Sequence, residues 1–274
     1  MFYLPGTMPE PKLELKKVGV LLRDASQVYP LEETREIFAR QGIEAVLLNE
    51  TGPTKGLDLI VAMGGDGTVL RALDMMPHCP VLAINYGNVG FLTAGNRDDL
   101  PLLLDKLLAG QYVISDRIML SCKYNGSHTH AVNEVVVRAS RGMAYFNVWV
   151  DGIKIRTIRG DGVIVGTPTG ATGYLLSTGG PLVMPGSDVF VLDGINEYNF
   201  TSRALVLPAN SQISLELPQL HSGQVATLVV DGKEVLELSS GSHIAMNRSE
   251  RMARLIFFEE SYFFDNLSHR LSWK

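Results

Sequence analysis

The sequence has few cysteines, and their placement excludes two classes of site. Its 274 residues include only Cys79 and Cys122, which lie far apart with no CxxC pair or Cys/His cluster near either. This spacing argues against a zinc site and against a disulfide framework. We therefore expect two buried thiols in a protein of a reducing compartment, the cytoplasm.

The sequence also lacks a large excess of positive or negative charge, and it has no long apolar run at its start. The chain has 24 Lys and Arg against 29 Asp and Glu, a net charge of −5, so no field of one sign attracts a nucleic-acid backbone or anionic lipid. Residues 1–11 contain three prolines and no apolar run after a basic start, unlike a signal peptide or a membrane anchor. We expect no nucleic-acid or membrane partner, and an anionic ligand must be held by local groups.

The apolar content, 46% against 19% charged residues, predicts a folded globular chain. In residues 1–99 short apolar runs alternate with helical patterns. The predicted strands cover residues 18–22, 43–48, 58–63 and 80–84, and the predicted helices cover 31–40 and 68–76. Because parallel strands need crossover connections, this alternation predicts a layered, Rossmann-like α/β domain.

Strand-like runs separated by short turns then predict a second domain in residues 100–255. The runs are residues 112–124, 131–138, 146–150, 153–158, 163–165, 204–207, 213–217 and 226–230. Asn125-Gly126, Asp151-Gly152 and Asp231-Gly232 are turn sequences typical of β-hairpins. We therefore expect an antiparallel, β-sandwich-like, all-β domain. The helical spacing in residues 256–274 predicts a tail that packs back on the N-terminal domain.

A glycine-rich turn lies between a predicted strand and a predicted helix. Its sequence is Gly64-Gly65-Asp66-Gly67-Thr68. Glycines in such a turn let a phosphate approach bare backbone amides, and the helix N-terminus adds a favourable partial charge. The turn lacks the Lys-Ser/Thr pair of a P-loop and the spacing of a dinucleotide fingerprint. It is either a phosphate site or a tight turn in which Asp66 caps the helix.

A second glycine-rich stretch covers residues 160–180, where a strand leads into a loop rich in Gly, Ser and Thr. Such a loop presents several amides and hydroxyls to one polar ligand. The alternative is a hairpin loop of an ordinary sandwich, although such loops are usually shorter.

A polar pair, Asn133-Glu134, interrupts the valines of the strand predicted at residues 131–138. An amide beside a carboxylate can hydrogen-bond ribose hydroxyls or an adenine edge. The alternative is a strand end that faces water.

Together these motifs resemble those of a known family. Gly64 to Thr68 looks like the GGDGT signature shared by NAD kinases, diacylglycerol kinases and sphingosine kinases, and residues 160–180 resemble the long signature of NAD kinases. Asn133-Glu134 resembles the dipeptide that holds the dinucleotide in that family. The chain departs from the family at Gly166 and Ala171, where serine is common, at Gly173, where alanine is common, and in residues 195–200, to which we assign no role.

The resemblance implies an NAD kinase, which phosphorylates the 2′-hydroxyl of the adenosine ribose of NAD to give NADP. The donor is ATP with Mg²⁺ or another divalent cation, or polyphosphate. Asp66 is the candidate catalytic residue, as a base or as a cation ligand, and no resident metal site is expected. The residues implied at the donor phosphates are Gly64, Gly65, Gly67, Thr68 and Arg71. The residues implied at NAD are Asp66, Gly67, Asn133, Glu134, Arg159, Asp161, Thr169, Thr172, Gly173, Tyr174 and Ser177.

The resemblance also implies an assembly. In NAD kinases the second domain forms the subunit contact, and the residue that matches Asp161 reaches the nucleotide pocket of a neighbouring subunit. We therefore expect a homodimer or homotetramer with shared sites.

Two other functions use the same motifs. A lipid kinase of the diacylglycerol or sphingosine type shares GGDGT, but the chain has no evident amphipathic basic helix for a membrane surface. A non-catalytic sensor of NAD or NADP is the second alternative, and the presence of Asp66 argues against it.

Overall fold

The structure is a computed structural model that describes residues 12–24, 28–49, 55–87, 90–199, 201–259 and 261–272. The leader at residues 1–11 and Trp273 lie outside these ranges. The chain forms two compact units: Arg117–Met252 is one, and the described residues up to Asp116 and from Ala253 form the other. The predicted functional domains, with limits at residues 99 and 255, stay a prediction.

Parallel strands and helices alternate in the first unit, as the sequence pattern predicts. Its elements are β1 (Lys17–Leu22), α1 (Val28–Ala39), β2 (Glu44–Leu47), β3 (Leu59–Gly64), α2 (Asp66–Met75), β4 (Val81–Asn85), β5 (Gly95–Asn96), a 3-10 turn (Arg97–Asp99) and α3 (Leu100–Leu108). β1 pairs in parallel with β2 and β3, and β3 pairs in parallel with β4. All six residues of β3 are buried, which is typical of an inner parallel strand. Phe38 of α1 and Leu104 of α3 pack in one core with these strands.

The second unit is mostly antiparallel. The next elements are β6 (Val113–Tyr124), β7 (Ser127–Ala131), β8 (Glu134–Ala139), β9 (Ala144–Val150), β10 (Ile153–Gly160), β11 (Gly162–Gly166), a 3-10 turn (Gly170–Thr172), α4 (Tyr174–Ser177), β12 (Val189–Ile195), β13 (Leu205–Pro208), β14 (Ile213–Glu216), β15 (Ala226–Val230), β16 (Lys233–Leu238) and β17 (His243–Phe257). One sheet has the order β13-β12-β11-β8-β15-β16, and the strands β10-β9-β14-β17 are neighbours in another. Val137 and Phe190 of the first sheet share a core with Phe146 and Leu215 of the second. The predicted sandwich is confirmed.

Three hairpin turns have the predicted geometry. In each pair both residues have positive φ, 43° and 77°, 51° and 79°, and 46° and 78° in chain order, as a type I′ turn requires. The pairs are Asn125-Gly126, Asp151-Gly152 and Asp231-Gly232.

The prediction of one strand over residues 131–138 was wrong. β7 ends at Ala131 and β8 begins at Glu134, so Asn133 precedes a strand instead of standing inside one. The strands β7, β12 and β16 were not predicted. Polar residues in β7 and charged residues in β16 weaken the strand pattern, whereas β12 is an apolar run that sequence reasoning overlooked.

The charged stretch from Arg248 to Arg254, which the sequence suggests is a solvated segment, is part of the 15-residue strand β17. Charged and buried residues alternate along it, as on any strand with one covered face. Arg248 pairs with Asp188 at 2.6 Å, and Arg254 pairs with Asp116 at 3.1 Å.

The C-terminal residues form α5 (Tyr262–Leu271), which packs in the first unit as the predicted tail. The Tyr262 ring stacks on Phe257 at 3.5 Å between centroids, and Asn266 Nδ2 donates to the Phe91 carbonyl at 3.3 Å. Within the ranges the structure describes, no helix has both the length and the apolar character needed to cross a bilayer.

Both cysteines are buried and unlinked, as predicted. Burial raises the pKa of Cys79 to about 11 and that of Cys122 to about 12. These thiols are therefore structural and unreactive at neutral pH.

Candidate active site

The glycine-rich turn joins β3 to α2, with Gly65 in an extended conformation as the N-cap of the helix. A Cβ on Gly64 would lie 2.2 Å from Thr68 Oγ1, so Gly64 allows the helix to approach the strand closely. A Cβ on Gly65 or Gly67 would meet nothing within 4 Å. Neither of these two glycines is required by a neighbour or by a positive φ. They leave bare amides at the helix N-terminus, where a phosphate needs them.

Asp66 is held by a loop instead of capping α2. Its Oδ2 accepts the Phe91 amide at 3.0 Å and its Oδ1 accepts the Leu92 amide at 3.1 Å. A Cβ on Gly90 would lie 2.1 Å from Oδ1, so this loop approaches the carboxylate as closely as glycine permits. Each oxygen keeps a lone pair for a further donor. The carboxylate is therefore fixed in direction and still able to accept a proton.

The other residues predicted at the donor phosphates lie on the first turns of α2. Thr68 is buried, and its amide donates to the Gly65 carbonyl at 2.9 Å. The Arg71 guanidinium donates to the Leu22 carbonyl at the end of β1. The structure thus brings the predicted residues of this group to one strand-to-helix turn, and their roles toward phosphate stay predictions.

In the second unit, Thr167 ties the loop after β11 to residues 132 and 133. Its amide donates to the Asn133 carbonyl at 2.8 Å, and its hydroxyl donates to the Val132 carbonyl at 2.5 Å. The hydroxyl oxygen accepts the amides of Thr169 and Gly170 at 3.1 and 3.2 Å. A Cβ on Gly170 would lie 2.3 Å from the Asn133 carbonyl oxygen, so only glycine fits there. Sequence reasoning missed Thr167, although its place in the Gly/Thr-rich loop was a signal.

Asn133 and Glu134 lie beside Gly173 and carry buried acceptors. A Cβ on Gly173 would lie 3.5 Å from Glu134 Oε2 and 3.6 Å from Asn133 Nδ2. Among the described residues, neither Asn133 Oδ1 nor Glu134 Oε2 has a hydrogen-bond partner, and both atoms are buried. Burial, and then the charge of Asp231, raises the pKa of Glu134 to about 7. Buried acceptors without donors are rare, which points to a ligand with hydroxyl or amine groups.

Tyr174 and Ser177, at the two ends of α4, line a cleft of about 550 Å³. This volume lies within the usual range for small-ligand sites. The cleft wall also includes Asp193, Asn196 and Glu197, which sequence reasoning did not assign. Burial is the main cause that raises the pKa of Asp193, against hydrogen bonds from the Gly194 amide and Thr178. The Asp-Gly pair inside an apolar strand was the available signal.

The loop hydroxyls of Thr169 and Thr172 have internal partners. Thr169 Oγ1 accepts from Arg117 at 3.4 Å, and Thr172 Oγ1 donates to the Thr169 carbonyl at 3.2 Å. Arg117 is only 2% exposed and was not predicted, because nothing in the sequence separates it from a surface arginine.

Arg159 and Asp161 contact the segment from residue 195 to residue 199. The Asp161 carboxylate accepts from Asn196 Nδ2 at 2.8 Å. The Arg159 guanidinium lies over the Tyr198 ring at 4.6 Å and near the Tyr145 ring at 5.8 Å. The segment at residues 195–199, to which the sequence assigns no role, therefore contacts two predicted site residues. Phe200 lies outside the described residues.

Comparison with known proteins identifies the family to which the chain belongs. The family model for the ATP-NAD kinase N-terminal domain matches residues 21–112, and that for the C-terminal domain matches residues 132–258. The NAD kinase of Wolinella succinogenes is 34% identical over 286 aligned residues, which cover 96% of this chain and 98% of that protein. The chain belongs to the NAD kinase family.

Solved structures of NAD kinase relatives share the fold. The NAD kinase of Archaeoglobus fulgidus, solved in complex with ATP, is 28% identical with a TM-score of 0.79, over 94% of this chain and all of that one. Yeast NADH kinase, solved with NADH, has a TM-score of 0.84 at 22% identity, over 95% and 88% of the two chains. None of these matches supports the lipid kinase or the sensor.

The buried carboxyl predicts a pH-dependent stability. A folded-state pKa of about 7 lies above the ordinary 4.5, so the ionised form is disfavoured by folding, and stability falls as pH rises between these values. The full penalty is about 3 kcal/mol. We expect Glu134→Gln to melt several degrees above wild type at pH 8 and close to it at pH 4.5, measured by thermal denaturation. Glu237→Gln, an exposed carboxyl on β16, is the control, and an equal response of both variants would contradict the assignment.

Replacing two glycines of the loop by alanine should have different effects on the free energy of unfolding. Gly170→Ala forces a Cβ to 2.3 Å from a backbone carbonyl and should cost about 1–3 kcal/mol in urea denaturation. Gly173→Ala meets its nearest atom at 3.3 Å and should change the unfolding free energy by less than about 1 kcal/mol. A more harmful Gly173→Ala would show that the loop is packed differently.

Proposed function

We propose that this protein is an NAD kinase that transfers the terminal phosphoryl group of ATP to the 2′-hydroxyl of the adenosine ribose of NAD. The observation that carries the proposal is Asp66, a carboxylate fixed by the Phe91 and Leu92 amides beside bare helix amides. Phosphoryl transfer requires mainly positioning and charge stabilisation, and these groups supply both.

The donor phosphates would bind at the amides of Gly65 and Gly67, with Thr68 and Arg71 close by on α2. The helix N-terminus favours negative charge, and no Cβ blocks the approach at either glycine. An NAD kinase relative solved with ATP supports ATP as the donor. Polyphosphate presents the same terminal groups and is the alternative donor.

Asp66 would act on the attacking hydroxyl. A carboxylate with a free lone pair on each oxygen can accept the hydroxyl proton, or it can join the coordination of a cation. The first role requires the carboxylate to face the acceptor hydroxyl and the second requires it to face the cation, and the two amides that hold it set its direction.

A divalent cation fits the donor set available. Mg²⁺ usually binds one or two carboxylates together with substrate phosphates and water. No group of three or more His, Cys, Asp and Glu side chains in the described part of the chain is arranged to hold a metal. Mg²⁺ would therefore arrive with ATP, be held chiefly by phosphate oxygens, and neutralise charge on the transferring group.

NAD would satisfy the buried acceptors of the second unit. Asn133 Oδ1 and Glu134 Oε2 need donors, and the dinucleotide offers ribose hydroxyls and the adenine amino group. The loop with Thr169, Thr172 and Gly173 and the exposed side chains of α4 would complete this binding surface. Tyr174 is 41% exposed, so its ring is available to stack on a base or a nicotinamide.

The direct test is an assay of the purified protein with NAD, ATP and Mg²⁺ for formation of NADP. Parallel reactions replace NAD by diacylglycerol or sphingosine, and ATP by polyphosphate. Lipid phosphorylation would favour the lipid kinase. Binding of NAD without any product in all reactions would favour the sensor.

Asp66→Asn should lower kcat by at least two orders of magnitude, because loss of a general base costs about 10²–10⁴-fold. Steady-state kinetics with NAD and ATP measure it. Asp74→Asn, an exposed position on the same helix, is the control and should keep wild-type turnover. Near-normal turnover of Asp66→Asn would remove Asp66 from the chemistry.

We infer a homodimer or homotetramer in which the β-rich unit forms the contact. β10 pairs only with β9 among the described strands, and its Ile153 is 68% exposed and Ile155 39% exposed. Tyr145 on β9 is 42% exposed. An edge strand with exposed apolar side chains favours association with a second copy. The resemblance to NAD kinases further suggests that Asp161 completes a site in the neighbouring copy.

A hybrid experiment tests this assembly. Asp161→Ala should cut activity and Asp66→Asn should be nearly inactive alone. Mixing the two with subunit exchange should restore part of the activity, since one hybrid site has both carboxylates. An active monomer in sedimentation at assay concentration, or no rescue after proven exchange, would contradict the shared site.

The cytoplasm is the compartment we propose. Two buried thiols without a disulfide suit a reducing environment.

A further inference from the structure

The turn between β15 and β16 places one carboxylate on three successive amides of another segment. Asp231 Oδ2 accepts the Val132 amide at 2.8 Å, and Oδ1 accepts those of Asn133 and Glu134 at 2.8 and 3.1 Å. The Asp231 amide in turn donates to the Glu134 carbonyl at 3.1 Å. Residues 132–134 are therefore held from one side by a residue about a hundred positions away.

Thr167 holds the same segment through the backbone carbonyls of the segment. Its amide and hydroxyl bond the carbonyls of Asn133 and Val132, while Asp231 bonds their amides. Val132 and Asn133 stand between β7 and β8, outside both ladders, and Glu134 is the first residue of β8. These contacts replace the ladder, and they determine where the side chains of Asn133 and Glu134 point.

The turn itself does not require a carboxylate. Asn125-Gly126 in the same chain makes a turn with φ values of 43° and 77°, close to the 46° and 78° of Asp231-Gly232. Asp151-Gly152 makes a third such turn, and within the described ranges the one amide that its carboxylate accepts is that of Gln212, at 2.8 Å. An asparagine at position 231 would therefore be sufficient for the hairpin turn. What the carboxylate adds is the set of hydrogen bonds that it accepts from the amides of residues 132–134.

We infer that Asp231 is a positioning residue for dinucleotide binding, which orients the acceptors of Asn133 and Glu134 through their backbone. The inference rests on the proposed function. Asp231 also lies close enough for its negative charge to contribute to the raised pKa of Glu134. Asp231 therefore affects Asn133 and Glu134 through the hydrogen bonds to their backbone, and it affects Glu134 through its negative charge as well.

The test compares Asp231→Asn with Asp151→Asn, since both keep a residue that tolerates positive φ. In Asp231→Asn the amide nitrogen cannot accept, so at least one buried N–H loses its partner. We expect the KM for NAD to rise at least tenfold and the KM for ATP to stay within twofold. Asp151→Asn should change neither. Asp231→Gly and Asp151→Gly form a second pair, because Gly-Gly suits a type I′ turn and removes the carboxylate entirely.

A pH profile separates positioning from simple destabilisation. Ionised Glu134 accepts donors better, so NAD binding should tighten as pH rises through about 7 in the wild type. Without the neighbouring charge, the midpoint in Asp231→Asn should move to lower pH, while that of Asp151→Asn stays in place. A purely structural role lowers the melting temperature without moving the midpoint.

Three results would overturn the inference. The first is an NAD KM in Asp231→Asn and Asp231→Gly that rises no more than in the Asp151 variants. The second is an equal rise in both KM values, and the third is an unshifted midpoint. Calorimetric titration of NAD gives the same comparison without turnover, so a wild-type protein that makes no NADP refutes the proposed function and leaves this test intact.

Discussion

Carboxylates that accept backbone amides are the interaction on which both parts of the candidate site depend. Asp66 accepts two amides of the loop at residues 91 and 92, and Asp231 accepts three amides of residues 132–134. A buried N–H without an acceptor costs about 1–3 kcal/mol, so each carboxylate selects one backbone arrangement. In the first unit the carboxylate is itself the proposed catalytic group, whereas in the second it holds the backbone of Asn133 and Glu134, the proposed dinucleotide acceptors.

The side-chain acceptors of Asn133 and Glu134 differ from the backbone groups around them, because they lack hydrogen-bond donors. The backbone of the segment has its donors and acceptors paired, while Asn133 Oδ1 and Glu134 Oε2 do not. A fold that satisfied them internally would be more stable but would leave no acceptors for the proposed dinucleotide ligand. Under the proposed function, stability is exchanged for binding in these two side chains.

Local chemistry explains what could be predicted from the sequence. The strand, glycine turn and helix around Asp66 and the three type I′ turns depend on neighbouring residues, so their sequences are sufficient. The backbone at residues 132–133 is held by Asp231, and the buried Arg117 donates to Thr169; both partners are distant in sequence. Strand β17 was missed because its arginines find carboxylates only after the fold has formed.

Phe91 connects the loop that holds Asp66 to the end of the chain. Its amide bonds the Asp66 carboxylate, its carbonyl accepts from Asn266, and Arg270 lies 5.5 Å from its ring. The glycine turn precedes α5 in the chain and is therefore synthesised first. A nascent chain carries the Asp66 carboxylate and the Phe91 amide that holds it before it has the helix that contacts Phe91 from the other side.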